Sequence, residues 1–302
     1  MSQAATSKVA MGAAVRQALR PGEDLAYGYV GAQELVVRHQ SQGPTARPWA
    51  SVSKLVTALA VHVAIEEASL QRSTPLGDQQ LVVEDLLSHA SGLPTGEVAD
   101  ASMSTPWQVR PICAPHERRI YSNLGYELLG YGIAQYCTMP FHQYAREAVL
   151  EPAGMTQASY PASVLATGPV TGAAFGLIGT IADLVSLVRV LCYPSLVTAG
   201  TLMAIRTPFA SELVGVLPGY GRQDPNQWGL GPEIRGTKAP HWMGSAVSEQ
   251  SYGHFGQSGS FLWIDPVQRF FAVFLGTKPF GAWAKNRWPV LNNAIVEELA
   301  SS

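Results

Sequence analysis

Apolar residues near the two ends of the chain fall in short strand-like runs. Leu25–Val30 and Glu34–His39 are separated by a Gly-Ala-Gln turn, which predicts a hairpin. Phe261–Asp265 and Arg269–Leu275 flank a Pro-Val-Gln turn, which predicts a second hairpin. Because the two hairpins stand at opposite ends of the chain, the pattern predicts one antiparallel sheet built from both termini.

Apolar residues at helical spacing dominate the middle of the chain. They predict a helix from near Ser51 to about Ala68 and another from Asn123 to about Gln135. Shorter helices are expected elsewhere, at Val9–Leu19, at Val83–Ser88, after an N-cap at Thr180, and from Trp288 to Leu299. We expect an α+β fold and a single domain over 1–302. Its α/β part would cover about 1–70 and 170–302, and an inserted, mostly helical part about 71–169, with catalytic side chains in the cleft between sheet and helices.

Composition and charge exclude several classes of protein. Of the 302 residues, 14% are charged and 47% are hydrophobic, so long disordered stretches are not expected. The net charge is -2 and no basic stripe is present, which argues against nucleic-acid binding. The longest uncharged stretch, Val164–Ala182, contains one proline and several glycines, which favour turns over a membrane helix.

The N-terminus and the cysteines suggest the compartment. The apolar run Val9–Val15 is too short for a convincing signal peptide, and Arg16 ends it. The three cysteines, Cys113, Cys137 and Cys192, lack metal-binding spacing and are expected to be buried free thiols. These observations predict a cytoplasmic protein, and the cysteine spacing predicts no metal site. We expect no cofactor.

Ser51 and Lys54 form a Ser-x-x-Lys motif at a predicted helix start. Three residues are nearly one helical turn, so the amine would lie beside the hydroxyl. A serine hydroxyl is a poor nucleophile until a base takes its proton, and the positive end of the helix would favour the oxyanion. Alone, so short a motif is better explained by an N-cap at Ser51 and a solvated Lys54.

Tyr121 and Asn123 form a second motif, Tyr-x-Asn. A phenol near a lysine can have a lowered pKa and act as a base. The amide oxygen of Asn123 can accept a hydrogen bond from the lysine ammonium. Without other motifs, a core tyrosine followed by a capping Asn123 is the better explanation of the pattern.

His254 and Gly256 form a third motif, His-x-Gly, on a predicted strand. Small residues at a strand edge let a substrate backbone lie close. The backbone N–H of Gln257 could pair with that of Ser51 as an oxyanion hole, and His254 could hydrogen-bond the substrate or the tyrosine. The plain alternative for His254 is a packed, satisfied side chain.

The order Ser-x-x-Lys, Tyr-x-Asn, His-x-Gly resembles the signature of the serine β-lactamase and penicillin-binding-protein superfamily, and of its class C β-lactamase-like branch. That branch includes family VIII-type esterases and D-alanyl-D-alanine carboxypeptidases. The likeness continues beyond the three motifs and covers nearly the whole chain from Tyr27. It is carried by Ala50–Leu59, Asp85–Pro94, Tyr121–Gly130, Glu151–Met155, Gly179–Asp183 and Gly253–Gly259.

The resemblance implies a β-lactamase/transpeptidase-like fold and a covalent acyl-enzyme mechanism that needs no metal. Ser51 would be acylated, while Lys54 and Tyr121 would take its proton and return it to the leaving group. Asn123 would position Lys54. The N–H groups of Ser51 and Gln257 would form the oxyanion hole, and water activated through Tyr121 would release the acyl group.

Two departures from the family pattern bear on the substrate. His254 stands where β-lactamases have the lysine of Lys-Thr-Gly, and an imidazole with an ordinary pKa near 6.5 is mostly neutral at pH 7. The segment from Gly92 to Tyr121 is short, which implies an open pocket on that side. Candidates for an apolar wall, each equally well explained as a core residue, are Trp49, Trp107, Trp228 and Trp242.

These departures lead us to expect a serine esterase acting on small neutral carboxylic esters or amides. Two alternatives stay open: a β-lactamase or D-alanyl-D-alanine carboxypeptidase, and a non-catalytic binding protein that retains the fold. The expected partner is a small ester, amide or β-lactam, with neither nucleic acid nor membrane. The sequence predicts no oligomeric state.

Overall fold

The computed structural model describes residues 11–96, 105–165 and 171–302. The strands in these ranges are β1 (Asp24–Val30), β2 (Leu35–Gln40), β3 (Arg47–Pro48), β4 (Pro75–Leu76), β5 (Leu81–Val82), β6 (Ile178–Gly179), β7 (Gly215–Leu217), β8 (Gly221–Gln223), β9 (Glu233–Ile234), β10 (Tyr252–Gly256), β11 (Ser260–Asp265) and β12 (Phe270–Leu275). The helices are α1 (Ala13–Ala18), α2 (Ser53–Glu66), α3 (Val83–Leu87), α4 (Asn123–Tyr136), α5 (Phe141–Ala145), α6 (Ala162–Leu165), α7 (Ile181–Cys192), α8 (Ala199–Arg206) and α9 (Ala282–Ala300). Two 3₁₀ turns, Ala50–Val52 and Pro106–Gln108, and a π turn, Arg146–Leu150, complete them.

Six strands form one antiparallel sheet in the order β2-β1-β12-β11-β10-β9. The two predicted hairpins are present as β1–β2 and β11–β12, and the pairing of β1 with β12 joins the two ends of the chain. Every residue of β11 and β12 is buried, because α7 covers one face of the sheet and α9 the other. The predicted α+β fold with a sheet built from both ends is confirmed.

Helix α2 is the central element of the helical layer. All of its residues from Ser53 to Ala64 are buried, as expected for a helix enclosed on every side. It packs against α4 and reaches β10 of the sheet, so its first turn lies between sheet and helices. Helices α3 to α6 fall within the segment of about 71–169 that the sequence predicts as a helical insertion.

Several helix ends differ from the sequence prediction. Helix α2 ends at Glu66 because Ala68 adopts a left-handed conformation, with φ of 59°, just past the helix. Helix α9 begins at Ala282, six residues before the predicted start, and continues through Pro289. The proline removes only one helical hydrogen bond, while the buried side chains before it favour the longer helix. Helix α1 is shorter than predicted, and residues 9 and 10 lie outside the described ranges.

The cysteines and the described His, Asp and Glu side chains are the groups that could bind a metal ion. All three cysteines are free and half-buried, where the sequence predicted buried thiols. In the described part of the chain, no three His, Cys, Asp or Glu side chains group as metal ligands would. Among the same residues, no helix combines the length and the apolar composition that crossing a membrane requires.

Candidate active site

Ser51 lies in the 3₁₀ turn that directly precedes α2, rather than in the first α-helical turn. Ala50 before it adopts φ of 47°, a region that residues with a Cβ rarely enter. Strand β10 holds this turn from the sheet side. Any side chain at Gly256 would meet the Trp49 carbonyl and the Ala50 Cβ, and Ser260 Oγ donates to that carbonyl at 2.8 Å. Gly256 therefore allows the strand to lie directly against the nucleophile turn.

Lys54 reaches back from α2 to Ser51 and is fully buried. Its Nζ lies 2.8 Å from Asn123 Oδ1, 2.7 Å from the Ala174 carbonyl oxygen and 3.4 Å from Ser51 Oγ. The first two atoms can only accept hydrogen bonds. When the amine is neutral, its two N–H groups are therefore used by Asn123 and Ala174, and its lone pair is left for the hydroxyl proton of Ser51.

The protonation of Lys54 follows from its surroundings. Burial lowers its pKa to about 7, although the negative charge of Glu127 acts in the opposite direction. Near neutral pH, a substantial fraction of molecules therefore carries the free amine. Such a lysine can act as a general base at the pH where the chain would work.

Tyr121 is close to both Ser51 and Lys54. Lys54 Nζ is 4.9 Å from the centroid of its ring. The sequence predicted a lowered pKa for this phenol, and that prediction is wrong. Burial raises the pKa of Tyr121 above its ordinary value of 10, and a hydrogen bond with Ser51 lowers it only in part. Tyr121 therefore remains a neutral hydroxyl at pH 7, able to donate or relay a proton.

Asn123 is the first residue of α4 and is held at three points. Its side-chain amide nitrogen donates to the Gly96 carbonyl at 2.9 Å, which orients Oδ1 toward Lys54. Its backbone N–H donates to the Thr95 carbonyl at 2.7 Å. Ser122, rather than Asn123, caps the helix by accepting from the Gly125 N–H. The Asn123 side chain is thus free to contact the lysine.

His254 on β10 is buried beside these groups. Its Nδ1 lies 2.7 Å from the Phe255 carbonyl oxygen, which can only accept, so Nδ1 carries the proton. Nε2 is then an acceptor, and among the described residues it has no hydrogen-bond partner. Burial, aided by the charge of Lys54, lowers the pKa of His254 to about 3. The expectation of an ordinary pKa near 6.5 was wrong, and the ring is neutral well below pH 7.

These side chains open onto a cavity of about 580 Å³. None of its described lining residues is Asp, Glu, Lys or Arg; they are Pro48, Ala50, Ser51, Thr95, Gly96, Tyr121, Asn123, Phe175, Leu217, Pro218, Trp228, His254, Phe255 and Gln257. All seven predicted site residues except Lys54 and Gly256 line the cavity, and those two lie directly behind it. Residues 97–104 of the short Gly92–Tyr121 segment lie outside the described ranges.

Of the four tryptophans proposed for the apolar wall of the pocket, one lines the cavity and two lie in the core. Trp228 lines the cavity, with its ring 5.8 Å from that of Tyr121. Trp49 and Trp242 are buried in the core, and Trp107 stacks on Tyr131. The apolar wall of the cavity therefore includes one of the four.

Three further features near the site escaped the sequence analysis. His89 lies with its ring 4.6 Å from the rings of both Tyr121 and Trp228, and its Nδ1 accepts from the Ser122 N–H. The Ala174 carbonyl contacts Lys54 through backbone alone, so no side-chain identity marks it. Glu233, next to Gly253 of β10, binds a buried lysine and a buried histidine across a turn. Only His89 stood in a segment that the family resemblance had marked.

A serine next to a buried lysine, a tyrosine and an asparagine, at the junction of a sheet and a central helix, defines the class of penicillin-recognising serine hydrolases. The β-lactamase family profile matches residues 4–295. The chain belongs to this family.

Relatives in the family carry several names. A β-lactamase structure from Mycobacterium bovis is 36% identical, covers 92% of this chain and 95% of its own, and superposes with a TM-score of 0.82. Simvastatin synthase from Aspergillus terreus shares the fold at 16% identity, with a TM-score of 0.70 over 96% of this chain and 97% of its own. A protein of Escherichia coli O157:H7, provisionally named a D-alanyl-D-alanine carboxypeptidase, is 24% identical over 70% of this chain. The match spans 60% of the length of that curated relative.

Proposed function

We propose that the chain is a serine esterase that cleaves small neutral carboxylic esters or amides through an acyl-enzyme at Ser51. The observation that carries this proposal is the uncharged lining of the cavity, together with the neutral His254 at its wall. A substrate carboxylate would lose water in this cavity without gaining a cation among the described lining residues. A neutral ester has no charge that must be removed from water, so the same cavity would not disfavour it.

In the proposed reaction, Lys54 as the free amine takes the proton of Ser51 Oγ while the oxygen attacks the ester carbonyl carbon. The N–H groups of Ser51 and Gln257 stabilise the oxyanion. The intermediate then breaks its bond to the alkoxide, which leaves as an alcohol after taking the proton back through Tyr121. Water attacks the acyl-enzyme, again with Lys54 and Tyr121 handling its proton, and releases the acid.

A β-lactamase activity is the second candidate, and the 36% identical Mycobacterium bovis structure with that name supports it. A D-alanyl-D-alanine carboxypeptidase is supported more weakly, by relatives at 24% identity. Both of these substrate classes carry a carboxylate. They should therefore react more slowly than a neutral ester, by about tenfold or more in kcat/KM if one charged hydrogen bond is missing.

The test combines a fluorophosphonate probe with two substrates. Intact mass and peptide mapping should find one adduct, at Ser51, and Ser51→Ala should lose it together with about 10⁴-fold of kcat/KM for nitrophenyl butyrate. Ser211→Ala, at an exposed hydroxyl that does not line the cavity, should keep both. A chromogenic cephalosporin hydrolysed faster than the butyrate would favour the β-lactamase, and an unlabelled protein would favour a non-catalytic binding role.

A further inference from the structure

The segment from Thr171 to Leu177 is clamped between the two helices that carry the site. From α2, Thr57 Oγ1 donates to the Ala173 carbonyl at 2.6 Å, and Ser53 Oγ accepts from the Leu177 N–H at 3.1 Å. Lys54 donates to the next carbonyl, that of Ala174, at 2.7 Å. The position of this segment therefore determines where one of the three partners of Lys54 lies.

Glu127 on α4 holds the same segment from the opposite side. Its Oε2 accepts from the backbone N–H and the hydroxyl of Thr171 at 2.6 and 2.8 Å, and its Oε1 accepts from the Ala174 N–H at 2.9 Å. Gly130, one turn further along α4, leaves the room for this contact, since any side chain there would meet Thr171 and Ala173. The Ala174 residue is thus bound through its N–H by Glu127 and through its carbonyl by Lys54.

Glu127 is fully buried, and within the described ranges each hydrogen bond to its carboxylate comes from a donor, two backbone N–H groups and one hydroxyl. A protonated carboxyl would set its own hydrogen against one of those donors, so the contacts favour the ionised form. Burial raises the pKa of Glu127 above its ordinary value, and the three hydrogen bonds and Lys54 lower it only in part. When Lys54 is protonated, it and the ionised Glu127 are a buried cation and anion bridged by one backbone residue, Ala174.

The other titratable groups around Lys54 do not compete for this role. Burial keeps the histidines neutral and the tyrosines protonated at pH 7; they are His89, His254, Tyr121 and Tyr126. Among the described residues, Glu127 is the one whose charge is found to raise the pKa of Lys54.

We propose that Glu127 is a positioning residue, which holds the Ala174 carbonyl against Lys54 and, by its charge, sets the pH at which Lys54 becomes a free base. The inference rests on the proposed role of Lys54 as the base for Ser51. Without that charge, the ammonium would be less stable and the free amine would form at lower pH. Without the hydrogen bonds, the Ala174 carbonyl would move and the lone pair of Lys54 would no longer be directed at Ser51.

The test is a direct titration of Lys54 by NMR, which the five lysines of the sequence make tractable. With isotope-labelled lysine, and Lys54→Met to identify the signal, the wild-type midpoint should lie near pH 7. Glu127→Gln should lower it by about one unit, because an opposite buried charge is removed. Thr171→Val keeps the charge and should leave the midpoint in place, as should Glu147→Gln at an exposed site.

The rate of fluorophosphonate labelling of Ser51, measured against pH on the same proteins, completes the test. In Glu127→Gln, the acidic limb of this rate profile should move to lower pH together with the NMR midpoint of Lys54. Glu127→Asp and Thr171→Val should keep the limb but lower the plateau by about tenfold, as expected for one lost or misplaced hydrogen bond. A folded Glu127→Gln protein with an unmoved midpoint overturns the role of the charge. If Glu127→Asp and Thr171→Val are both labelled at the plateau rate of the wild type, Glu127 does not position the Ala174 carbonyl. These two variants also decide the question if Glu127→Gln does not fold. Wild-type protein that titrates as expected but is not labelled would contradict the proposed function instead.

Discussion

Lys54 and Lys238 are both buried, but their partners differ in charge. Lys54 contacts the hydroxyl of Ser51, an amide oxygen and a backbone carbonyl, all neutral. Lys238 lies 2.8 Å from the carboxylate of Glu233, which also accepts from His241 Nε2 at 2.8 Å. Both ammonium groups have lost their water, yet only Lys238 has gained a counter-ion in direct contact.

The difference bears on which of the two lysines is free to take up a proton from a neighbouring group. Burial lowers the pKa of Lys54 to about 7, and only the more distant Glu127 opposes it. For Lys238, burial lowers the pKa to about 8, although Glu233 acts against it through both its charge and a hydrogen bond. Burial tends to raise the pKa of Glu233, but Lys238 and His241 outweigh it and hold the carboxyl well below its ordinary range. Deprotonating Lys238 would leave the carboxylate in direct contact with it without its counter-ion, whereas the groups in direct contact with Lys54 are neutral and Glu127 lies one residue further away.

Replacing each lysine by methionine, which has a similar volume, should give opposite results. Lys54→Met should lower kcat/KM for a butyrate ester by about 10⁴-fold, because Ser51 loses its base. Its free energy of unfolding should fall less than that of Lys238→Met, since no counter-ion contacts Lys54 directly and a buried charge is removed. Steady-state kinetics and urea unfolding measure the two effects. A loss of activity below tenfold would remove Lys54 from the proposed mechanism.

The pH dependence of stability gives a control for the same variant. The pKa of Lys54 is about 7 in the folded protein and 10.5 as its ordinary value, so the unfolded chain binds more protons between these limits. The contribution of Lys54 to stability therefore rises with pH from about 7 upward. Urea unfolding at pH 7 and pH 9 should show a smaller rise in Lys54→Met than in the wild type.

Lys238→Met should instead lose stability and keep most of its catalytic activity. Its loss leaves the Glu233 carboxylate without its ammonium partner and should reduce the free energy of unfolding by about 3–5 kcal/mol. Below its melting temperature, kcat/KM should fall far less than in Lys54→Met. Adding Glu233→Gln should recover part of the stability, because both buried charges are then gone. If the double variant is less stable than the single one, the ion pair is not what Lys238 contributes.

The sequence predicted one of these lysines and not the other, for physical reasons. Lys54 is marked by its spacing from Ser51 in combination with the other two motifs and the family resemblance, whereas the spacing alone would fit an N-cap and a solvated lysine. Lys238 meets Glu233 across an irregular turn, where spacing carries no information about contact. The raised pKa of Tyr121 was also missed, because it depends on how much of the ring is buried. The sequence could predict the three motifs, the two hairpins and the central helix. The pKa values depend on how burial and nearby charges balance, which only the packed structure shows.

The charge at a third position, that of His254, should have a smaller effect than either lysine. His254→Lys would place a second amine beside Lys54. It would also restore the lysine that the β-lactamase motif Lys-Thr-Gly has at this position. At an effective dielectric near 20, a unit charge about 4 Å from a substrate carboxylate contributes up to about 4 kcal/mol. Desolvation and repulsion by Lys54 reduce that gain. We expect the ratio of kcat/KM for a cephalosporin to that for a butyrate ester to rise about tenfold.

Because both substrates need the same free Lys54, that ratio cancels the titration of the base and reports on the residue at position 254 alone. In the wild type the pKa of His254 is about 3, so its charge should not affect the ratio between pH 8 and pH 5. In His254→Lys the ratio should grow as the pH falls, because the introduced amine becomes protonated next to an existing cation. His254→Asn, which is neutral at every pH, should behave as the wild type. A ratio that is equal in all three proteins would mean that the charge at position 254 does not select the substrate, and that the segment between Gly92 and Tyr121 is the next feature to change.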